Sequence, residues 1–368
     1  MTAPGTTQGF VPPPYPYDRL DEIAAIAAKH DGGAVDLSIG TPCDPPPADV
    51  MSALATSTAA RGYPPSIGTA ALRQAAADWI ERRLGATVDP ATGLAAVVGT
   101  KEFVASTPQY LKLRDPSRDT VLYPAISYPT YEMGATLAGC RAVAYGTLDE
   151  ISDDDAQRAL CIWVNSPANP TGELHDLDAA AAWGRERNVP VFSDECYAEF
   201  SWQGAPTTIL RNGTDGLIAV HSLSKRDNFA GARIGFYAGD AELVHYLREV
   251  RKHAGLMPPG PVQAAAVVAL GDDAHVETQR QRYLNRMTKL RDVLVELGFS
   301  AELPAGAFYL WVPAPDGDAW AAARDLAERV GIVVSPGEFY GPRSTSWFRV
   351  AAVQPDDRVA LVARRARG

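Results

Sequence analysis

The segment Leu217-Ile218-Ala219-Val220-His221-Ser222-Leu223-Ser224-Lys225 decides the fold class. Its first half is a short apolar run, which predicts a strand buried on both faces of a sheet. Its second half places a lysine among hydroxyl side chains directly after that strand. Because α/β sheets bind ligands at the carboxyl ends of their strands, Lys225 is a candidate functional residue.

Short apolar runs of this kind alternate with helical patterns between residues 48 and 256. The strand candidates in this region are 95–98, 120–123, 142–145, 159–164, 189–192, 217–221 and 235–238, and a further short candidate precedes them at 34–39. This alternation predicts an α/β domain with a mainly parallel seven-stranded sheet. After Pro258-Pro259-Gly260-Pro261, two helical patterns and strand candidates at 308–312, 332–334 and 347–350 predict a smaller α+β domain.

The chain length agrees with this division, since 368 residues exceed one typical core. We predict an N-terminal arm and part of the small domain at 1–47, a large domain at 48–256 and a C-terminal small domain at 257–368. The proline-rich arm at 12–16 is expected to be extended, and either disordered or clasping a partner.

Composition excludes several classes of function. The net charge of −10 argues against nucleic acid or an anionic membrane as the general partner. The four cysteines show no Cys-x-x-Cys spacing and the six histidines do not cluster with them, so we expect neither a metal site nor a disulfide framework. The first ten residues lack the features of a signal peptide, and no apolar run is long enough to span a membrane. A cytoplasmic location is therefore expected.

Four polar residues, Asn169, Asp194, Lys225 and Arg233, follow one another in the order that pyridoxal phosphate chemistry requires. The lysine would form a Schiff base with the cofactor aldehyde, and its freed amine would move a proton between the substrate Cα and the cofactor. The aspartate would keep the ring nitrogen protonated, and the arginine would take the phosphate. Each residue alone is more often structural, as in an Asn-Pro turn, so the combination carries the prediction.

Other residues supply the remaining contacts of such a cofactor. Gly99-Thr100-Lys101-Glu102 follows a predicted strand and opens a helix, whose N-terminus is a natural phosphate site. The Ser222 hydroxyl would join it, with Thr100 and Lys101 as cofactor-binding residues. Tyr128 is a candidate to stack on the pyridine ring. Tyr197 and Asn169 would face the ring oxygen, with Asn165 supporting the Asn169 loop.

Arg349 is a charge inside the apolar strand candidate Trp347-Phe348-Arg349-Val350. Arginines are seldom buried without a partner. The structural alternative is an edge residue whose head group reaches water. The functional interpretation is a bidentate clamp on the α-carboxylate that every amino acid substrate carries.

On these motifs the chain resembles the class I and II aminotransferases, which are fold type I pyridoxal phosphate enzymes. The resemblance spans nearly the whole chain. It implies transamination between an amino acid and a 2-oxo acid, and a homodimer with active sites at the subunit interface. It also implies that Tyr63 reaches the cofactor phosphate of the neighbouring subunit and that the Gly40 backbone lies near the substrate carboxylate. Asn169 would contact the substrate as well.

Within this family the chain is most similar to the actinobacterial N-succinyl-L,L-diaminopimelate aminotransferases, through 36–42, 99–102, 224–228, 251–255 and 336–342. That likeness implies glutamate and 2-oxoglutarate as co-substrates, in lysine and diaminopimelate biosynthesis. The substrate carries further carboxylates, so cations should line the distal pocket. The candidates are Lys101, Arg226, Lys252 and His253. Asp227 departs from the small residue expected there and adds a negative charge beside Lys225.

Three alternatives are compatible with the same residues. An aspartate- or alanine-type aminotransferase shares every catalytic residue. A pyridoxal phosphate β-lyase acting on sulfur amino acids uses the same lysine for elimination. A non-catalytic sensor domain of a transcription factor is the third, but it needs a DNA-binding domain before the fold. Only about 35 residues precede the first predicted strand, and the net charge is negative.

Overall fold

A computed structural model describes residues 9–368 of the chain and contains two main sheets. The strands are β1 (Val35–Asp36), β2 (Leu94–Val97), β3 (Thr120–Pro124), β4 (Arg141–Tyr145), β5 (Ala159–Asn165), β6 (Val191–Asp194), β7 (Leu217–Ser222), β8 (Gly235–Gly239), β9 (Tyr309–Pro313), β10 (Ile332–Val333), β11 (Ser335–Pro336) and β12 (Trp347–Ala351). Each predicted strand is present, with its ends shifted by a few residues at most.

The α-helices connect and cover these strands. They are α1 (Asp21–Ala27), α2 (Ala48–Thr56), α3 (Ala70–Trp79), α4 (Thr100–Arg114), α5 (Thr130–Leu137), α6 (Asp153–Arg158), α7 (Leu177–Arg187), α8 (Leu223–Arg226), α9 (Ala241–His253), α10 (Gly260–Gly271), α11 (Asp273–Glu296), α12 (Ala319–Val330) and α13 (Asp356–Ala366). Short 3-10 turns fill several connections, and a π-helical turn (Ile80–Leu84) extends α3. None of the helices in residues 9–368 is long and apolar enough to cross a membrane.

The large sheet has seven strands in the order β2-β8-β7-β6-β5-β3-β4. Only β8 runs antiparallel to its neighbours, which confirms the predicted mainly parallel sheet. Every residue of β5 and β7 is buried, because helices cover both faces. Alternate side chains of these strands enter two separate cores, one beneath α4 and α9 and the other beneath α3, α7 and α10.

The small sheet has the antiparallel order β11-β12-β9 and lies with α11, α12 and α13 around a core of its own. The chain's first strand belongs to this region, since β1 pairs in parallel with β10 through Val35 and Ile332. This strand is only two residues long, whereas the sequence predicted 34–39. The short strand leaves Ser38 to Thr41 free to run towards the large sheet.

The helix α10 corrects the predicted domain division. Its buried residues Val262, Ala265 and Ala266 share the core of the large sheet with residues of α2 and α3. The predicted boundary between residues 256 and 257 thus falls before a helix that packs with the large sheet. The Pro258-Pro259 break that suggested the boundary is instead the start of this helix, since α10 begins at Gly260.

Candidate active site

A cavity of about 270 Å³ lies where the carboxyl ends of β5, β6 and β7 face the small sheet. It is close to the size range of small-molecule sites, about 300–1,000 Å³. The predicted site residues that line it are Gly40, Thr100, Lys101, Tyr128, Asn169, Asp194, Tyr197, Ser222, Lys225, Arg233 and Arg349. Residues from seven separate parts of the chain are thus brought together in one cavity.

Lys225 lies in α8, one turn after the end of β7. The Ser222 hydroxyl caps this helix by accepting from the Ser224 N–H at 3.1 Å. The Lys225 Nζ donates to the carbonyl oxygen of Gly40. Burial lowers the pKa of Lys225 to about 8. Among the nearby groups, Cys196 and Asp194 act to raise this pKa, and the guanidinium groups of Arg349 and Arg233 act to lower it. The amine therefore loses its proton much more readily than that of an exposed lysine.

Asp194 ends β6 at the floor of the cavity. Its Oδ2 accepts from the Tyr131 hydroxyl at 2.9 Å and its Oδ1 from the Cys196 N–H at 3.2 Å. Burial raises the pKa of this carboxyl, and the two hydrogen bonds oppose that shift. Tyr131 was not predicted from the sequence, although it lies three positions after Tyr128. In the structure its ring stacks on that of Trp163, with 5.3 Å between the ring centres.

One end of the cavity combines a helix N-terminus with a guanidinium group. Gly99 precedes α4 with φ of 79°, and a Cβ at this position would collide with the guanidinium of Arg233. Arg233 itself has φ of 55°, in the left-handed region, and donates to the Ala230 carbonyl at 3.0 Å. Glycine is required at position 99, because only a residue without a side chain lets the guanidinium lie against the start of α4.

The Asn165–Asn169 loop connects the ends of two strands to the carboxylate-binding side of the cavity. Asn165 donates to the Asp194 carbonyl at 2.8 Å and accepts from the Asn169 N–H at 2.8 Å. This confirms the prediction that Asn165 supports the loop. The Asn169 Oδ1 in turn accepts from Arg349 Nη1 at 2.7 Å.

Arg349 is 2% exposed and has only neutral hydrogen-bond partners within the described residues. Besides Asn169, its Nη2 donates to the Ser38 carbonyl at 2.5 Å and to the Tyr17 hydroxyl at 3.3 Å. Its guanidinium carbon lies 4.2 Å from the ring centre of Tyr309. A buried cation without a carboxylate partner is expensive, so this arrangement is suited to bind an anion from the cavity.

The proline-rich arm contributes to the cavity, which the sequence did not predict. Tyr15 and Tyr17 both line it. The Lys101 ammonium lies 5.3 Å from the ring centre of Tyr15, and the Tyr17 hydroxyl is 3.2 Å from that of Tyr340. The described part of the arm therefore passes across the site of its own chain.

The structure corrects the predicted distal cations. Arg226 is 3% exposed and pairs with Glu199 at 3.4 Å, Asp227 at 2.5 Å and Asp273 at 3.2 Å. It does not line the cavity, so its predicted role in binding a distal carboxylate is wrong. Asp227 is fully buried beside it, and burial raises the pKa of that carboxyl to about 7. Its charge faces Arg226 and not the cavity.

Two further predicted cations, Lys252 and His253, are exposed at the end of α9 and do not line the cavity. Only Lys101 among the four candidates does. Tyr63 also lies outside the cavity, and 97% of its surface is exposed. Its action on a neighbouring subunit stays a prediction. No group of residues within 9–368 is arranged to hold a metal ion.

These residues fit pyridoxal phosphate. The start of α4, Ser222 and Arg233 form a site for a dianion, and the absence of a side chain at Gly99 leaves room for the Arg233 guanidinium there. The buried Asp194 carboxylate is the type of partner that a protonated ring nitrogen needs. Lys225 lies on the same cavity, with an amine that is easily deprotonated.

Comparisons with known proteins agree with this geometry. The family described as aminotransferase class I and II matches residues 33–365. The chain is 44% identical to the 4-dedimethylamino-4-oxo-anhydrotetracycline transaminase OxyQ of Streptomyces rimosus, covering 96% of this chain and 98% of that protein. It is 32% identical to the LL-diaminopimelate aminotransferase of Aquifex aeolicus, with 96% of each covered.

A solved structure, the probable N-succinyldiaminopimelate aminotransferase of Thermus thermophilus, superposes with a TM-score of 0.85 at 27% identity, covering 96% of this chain and 99% of that one. The chain therefore belongs to the class I and II aminotransferases, which depend on pyridoxal phosphate. It has the fold type I architecture of these enzymes.

Proposed function

We propose that this aminotransferase exchanges an amino group between N-succinyl-L,L-diaminopimelate and 2-oxoglutarate by a ping-pong reaction. The observation that carries the proposal is Arg349, a buried guanidinium that has only neutral partners among residues 9–368 and shares a cavity with Lys225. Such a cation is matched by the α-carboxylate common to both substrates. Lys101 at the rim of the cavity is suited to a distal carboxylate. The likeness to diaminopimelate aminotransferases supports the substrate class.

Four groups of residues would hold the cofactor. The start of α4, Ser222 and Arg233 would bind the phosphate, and Asp194 would bind the ring nitrogen. Tyr128 would stack on the ring, while Asn169 and Tyr197 would donate to its oxygen. When bound, pyridoxal phosphate supplies a carbonyl carbon that joins amines and a protonated ring that accepts electrons from the substrate Cα.

The protein's own groups then perform binding and proton transfer. Arg349 binds the α-carboxylate and so fixes the Cα close to Lys225. With the cofactor bound, the Lys225 Nζ would accept and hold the Cα proton, and its pKa of about 8 suits proton exchange near neutral pH. Asp194, oriented by Tyr131, would balance the charge of the ring nitrogen. The second half-reaction would use the same groups in reverse with the 2-oxo acid.

The same proposal includes a cytoplasmic homodimer. Tyr63 is a large aromatic residue that is almost fully exposed in the single chain, together with Met51 at 42%. Exposed aromatic surface of this kind marks protein contacts. In the dimer, Tyr63 would reach the phosphate end of the partner's cavity and complete it.

A half-reaction experiment tests the function. Cofactor-loaded enzyme is mixed with glutamate, N-succinyl-L,L-diaminopimelate, L,L-diaminopimelate, aspartate, alanine or a cysteine conjugate, and the visible absorbance of the bound cofactor is followed. We expect loss of absorbance with the first two donors and the matching 2-oxo acid as product. Release of pyruvate from the cysteine conjugate, with no reaction of the first two, would instead establish the β-lyase.

Lys225→Ala should abolish the visible absorbance of the bound cofactor and lower turnover by about 10⁴-fold, because it removes the covalent anchor and the proton carrier. Lys252→Ala is the matched control, since that lysine is exposed and remote from the cavity. It should behave as the unmodified enzyme. Turnover by Lys225→Ala at the level of the unmodified enzyme would contradict the role of Lys225 as covalent anchor and proton carrier.

A second candidate function is amination of a polycyclic ketone, favoured by the 44% identity to a transaminase named for 4-dedimethylamino-4-oxo-anhydrotetracycline. One experiment distinguishes the two candidate functions. The enzyme first takes an amino group from glutamate, and that ketone is then supplied as the acceptor. An aminated polycyclic product, with N-succinyl-L,L-diaminopimelate unreactive, would replace the first proposal by the second.

A further inference from the structure

Tyr309 lies at the start of β9, two positions from the residue that pairs with Arg349 across the small sheet. It is 1% exposed, yet it lines the active-site cavity. Its ring forms an aromatic floor beneath the Arg349 guanidinium, at 4.2 Å from the guanidinium carbon. In a buried site with no carboxylate partner, this contact stabilises the positive charge through the negative face of the ring.

The hydroxyl of the same residue contacts the other half of the site. It lies 2.7 Å from the Tyr197 hydroxyl, and both groups are buried. Each phenol has a single proton. If Tyr197 donates its proton to the ring oxygen of the cofactor, the bond between the two tyrosines can form only with Tyr309 as donor and Tyr197 as acceptor.

A third contact fixes the position of the Tyr309 hydroxyl. Gly40 lies against it so closely that a Cβ at residue 40 would collide with the hydroxyl. The carbonyl oxygen of Gly40 accepts from the Lys225 Nζ. The Tyr309 hydroxyl is therefore confined between Tyr197 and the backbone segment that contacts the lysine.

We infer that Tyr309 is a positioning residue that sets the donor direction of Tyr197 and supports Arg349 at the same time. The inference rests on the proposed placement of Tyr197 beside the cofactor ring oxygen. Donation from Tyr309 polarises Tyr197 and makes it a stronger donor to that oxygen. A stronger donor stabilises the anionic oxygen, and so lowers the pH at which the bound cofactor changes its protonation state.

The test compares Tyr309→Phe, Tyr197→Phe and the double variant, each loaded with cofactor. The readout is the pH midpoint of the visible absorbance change, measured without substrate. Tyr309→Phe should raise the midpoint by about 0.5–1 pH unit, the size expected for loss of one hydrogen bond. Tyr197→Phe should raise it at least as much. The double variant should match Tyr197→Phe, because Tyr309 acts through Tyr197.

The outcomes separate the inference from the proposed function. An unchanged midpoint in Tyr197→Phe would remove Tyr197 from the ring oxygen and so contradict the proposed cofactor contacts. A shift in Tyr197→Phe with none in Tyr309→Phe, or additive shifts in the double variant, would overturn the inference alone. Thermal unfolding and cofactor content check that each variant is folded and loaded.

The aromatic floor has its own readout. Tyr309→Phe keeps the ring, so the KM for glutamate should stay within about threefold while the pH midpoint shifts. Tyr309→Leu removes both ring and hydroxyl, and should raise KM by about fivefold or more through loss of the cation–π contact. Equal KM values for the two variants would show that the ring does not support Arg349.

Discussion

Two arginines of this protein are almost equally buried and differ in everything that surrounds them. Arg226, the last residue of the active-site helix α8, pairs with Glu199, Asp227 and Asp273. Arg349, on the small sheet, has an amide, a backbone carbonyl and phenols as neighbours. Arg226 is thus neutralised by the protein, whereas the charge of Arg349 is left for a ligand.

The difference shows how burial of a charge separates stability from function. The desolvation cost of a buried cation is largely offset by surrounding carboxylates, and loss of one partner leaves an uncompensated buried charge that is strongly destabilising. A buried cation among neutral groups costs stability in the free protein, and a bound anion offsets that cost. Burial alone therefore does not identify a binding residue, but the absence of a carboxylate partner among its neighbours does.

The largest expected effect tests the structural arginine. Arg226→Met leaves Asp227 buried without its cation, and should lower the free energy of unfolding by about 3–5 kcal/mol. Urea unfolding of the cofactor-loaded protein measures it. Arg329→Met is the matched control, because Arg329 forms an exposed pair with Asp325 and should lose about 0.5 kcal/mol or less. A decrease of less than about 1 kcal/mol in the free energy of unfolding of Arg226→Met would contradict the structural role of Arg226, and with it the contrast to Arg349.

The second prediction concerns the functional arginine. Arg349→Gln should lower kcat/KM for glutamate by about 10²–10³-fold, since it removes a buried charge pair with the substrate. The free energy of unfolding should stay the same or rise, because an unmatched buried charge is removed. Steady-state kinetics and urea unfolding of the same preparation measure both. A large loss of stability would show that Arg349 is structural like Arg226.

A carboxylate-free amine donor supplies the control for that substitution. Such a donor has nothing to place against Arg349, so its slow single-turnover reaction should be nearly equal in the unmodified enzyme and in Arg349→Gln. An equal loss for glutamate and for the carboxylate-free amine would place the effect of Arg349 on the cofactor and not on the substrate.

The third prediction tests the positive charge of Arg349 through its effect on the pKa of Lys225. Only the neutral form of Lys225 attacks the cofactor, so the rate of cofactor uptake by cofactor-free protein should rise with pH and level off above about 8. The Arg349 charge lowers this pKa, so Arg349→Gln should move the midpoint upward. Arg226→Met should leave it in place. Stopped-flow absorbance measures the rate, and a midpoint near 10.5 would contradict the burial of Lys225.

The smallest expected effect is at the cavity rim. Lys101→Ala should reduce the preference for donors with a distal carboxylate over alanine by about two- to fivefold, since exposed ion pairs contribute 1 kcal/mol or less. The ratio of kcat/KM values for the two donors measures it, and Lys252→Ala is the control. An unchanged ratio would show that Lys101 does not bind the distal carboxylate of the donor.

Much of this architecture could be predicted from local sequence. Apolar runs such as that of β7 identify strands, because a strand covered on both faces must be apolar throughout. Lys225, Asp194 and Asn169 could be predicted because each directly follows such a strand, and parallel strands bring their carboxyl ends to one edge. Arg349 could be predicted because a charge inside an apolar strand is unusual.

The remaining residues depend on tertiary contacts that no local pattern reports. Tyr309 reaches Tyr197 across 112 positions of sequence, and Tyr17 reaches Arg349 across 332. The sequence predicts a wrong role for Arg226, because its neighbour in sequence is the active-site lysine. The short helix α8 directs Arg226 away from the cavity towards Glu199 and Asp273, which are distant in sequence.

The pairing of β1 with β10 has a consequence for the order in which the site is completed during synthesis. All seven strands of the large sheet lie before residue 240, together with Lys225, Asp194 and Arg233. Val35 leaves the ribosome among the first residues, yet its partner Ile332 follows 297 residues later. The cofactor end of the cavity can thus form while the carboxylate clamp is still unsynthesised. Gly40 and Tyr17 can take their places only after the last strands are made.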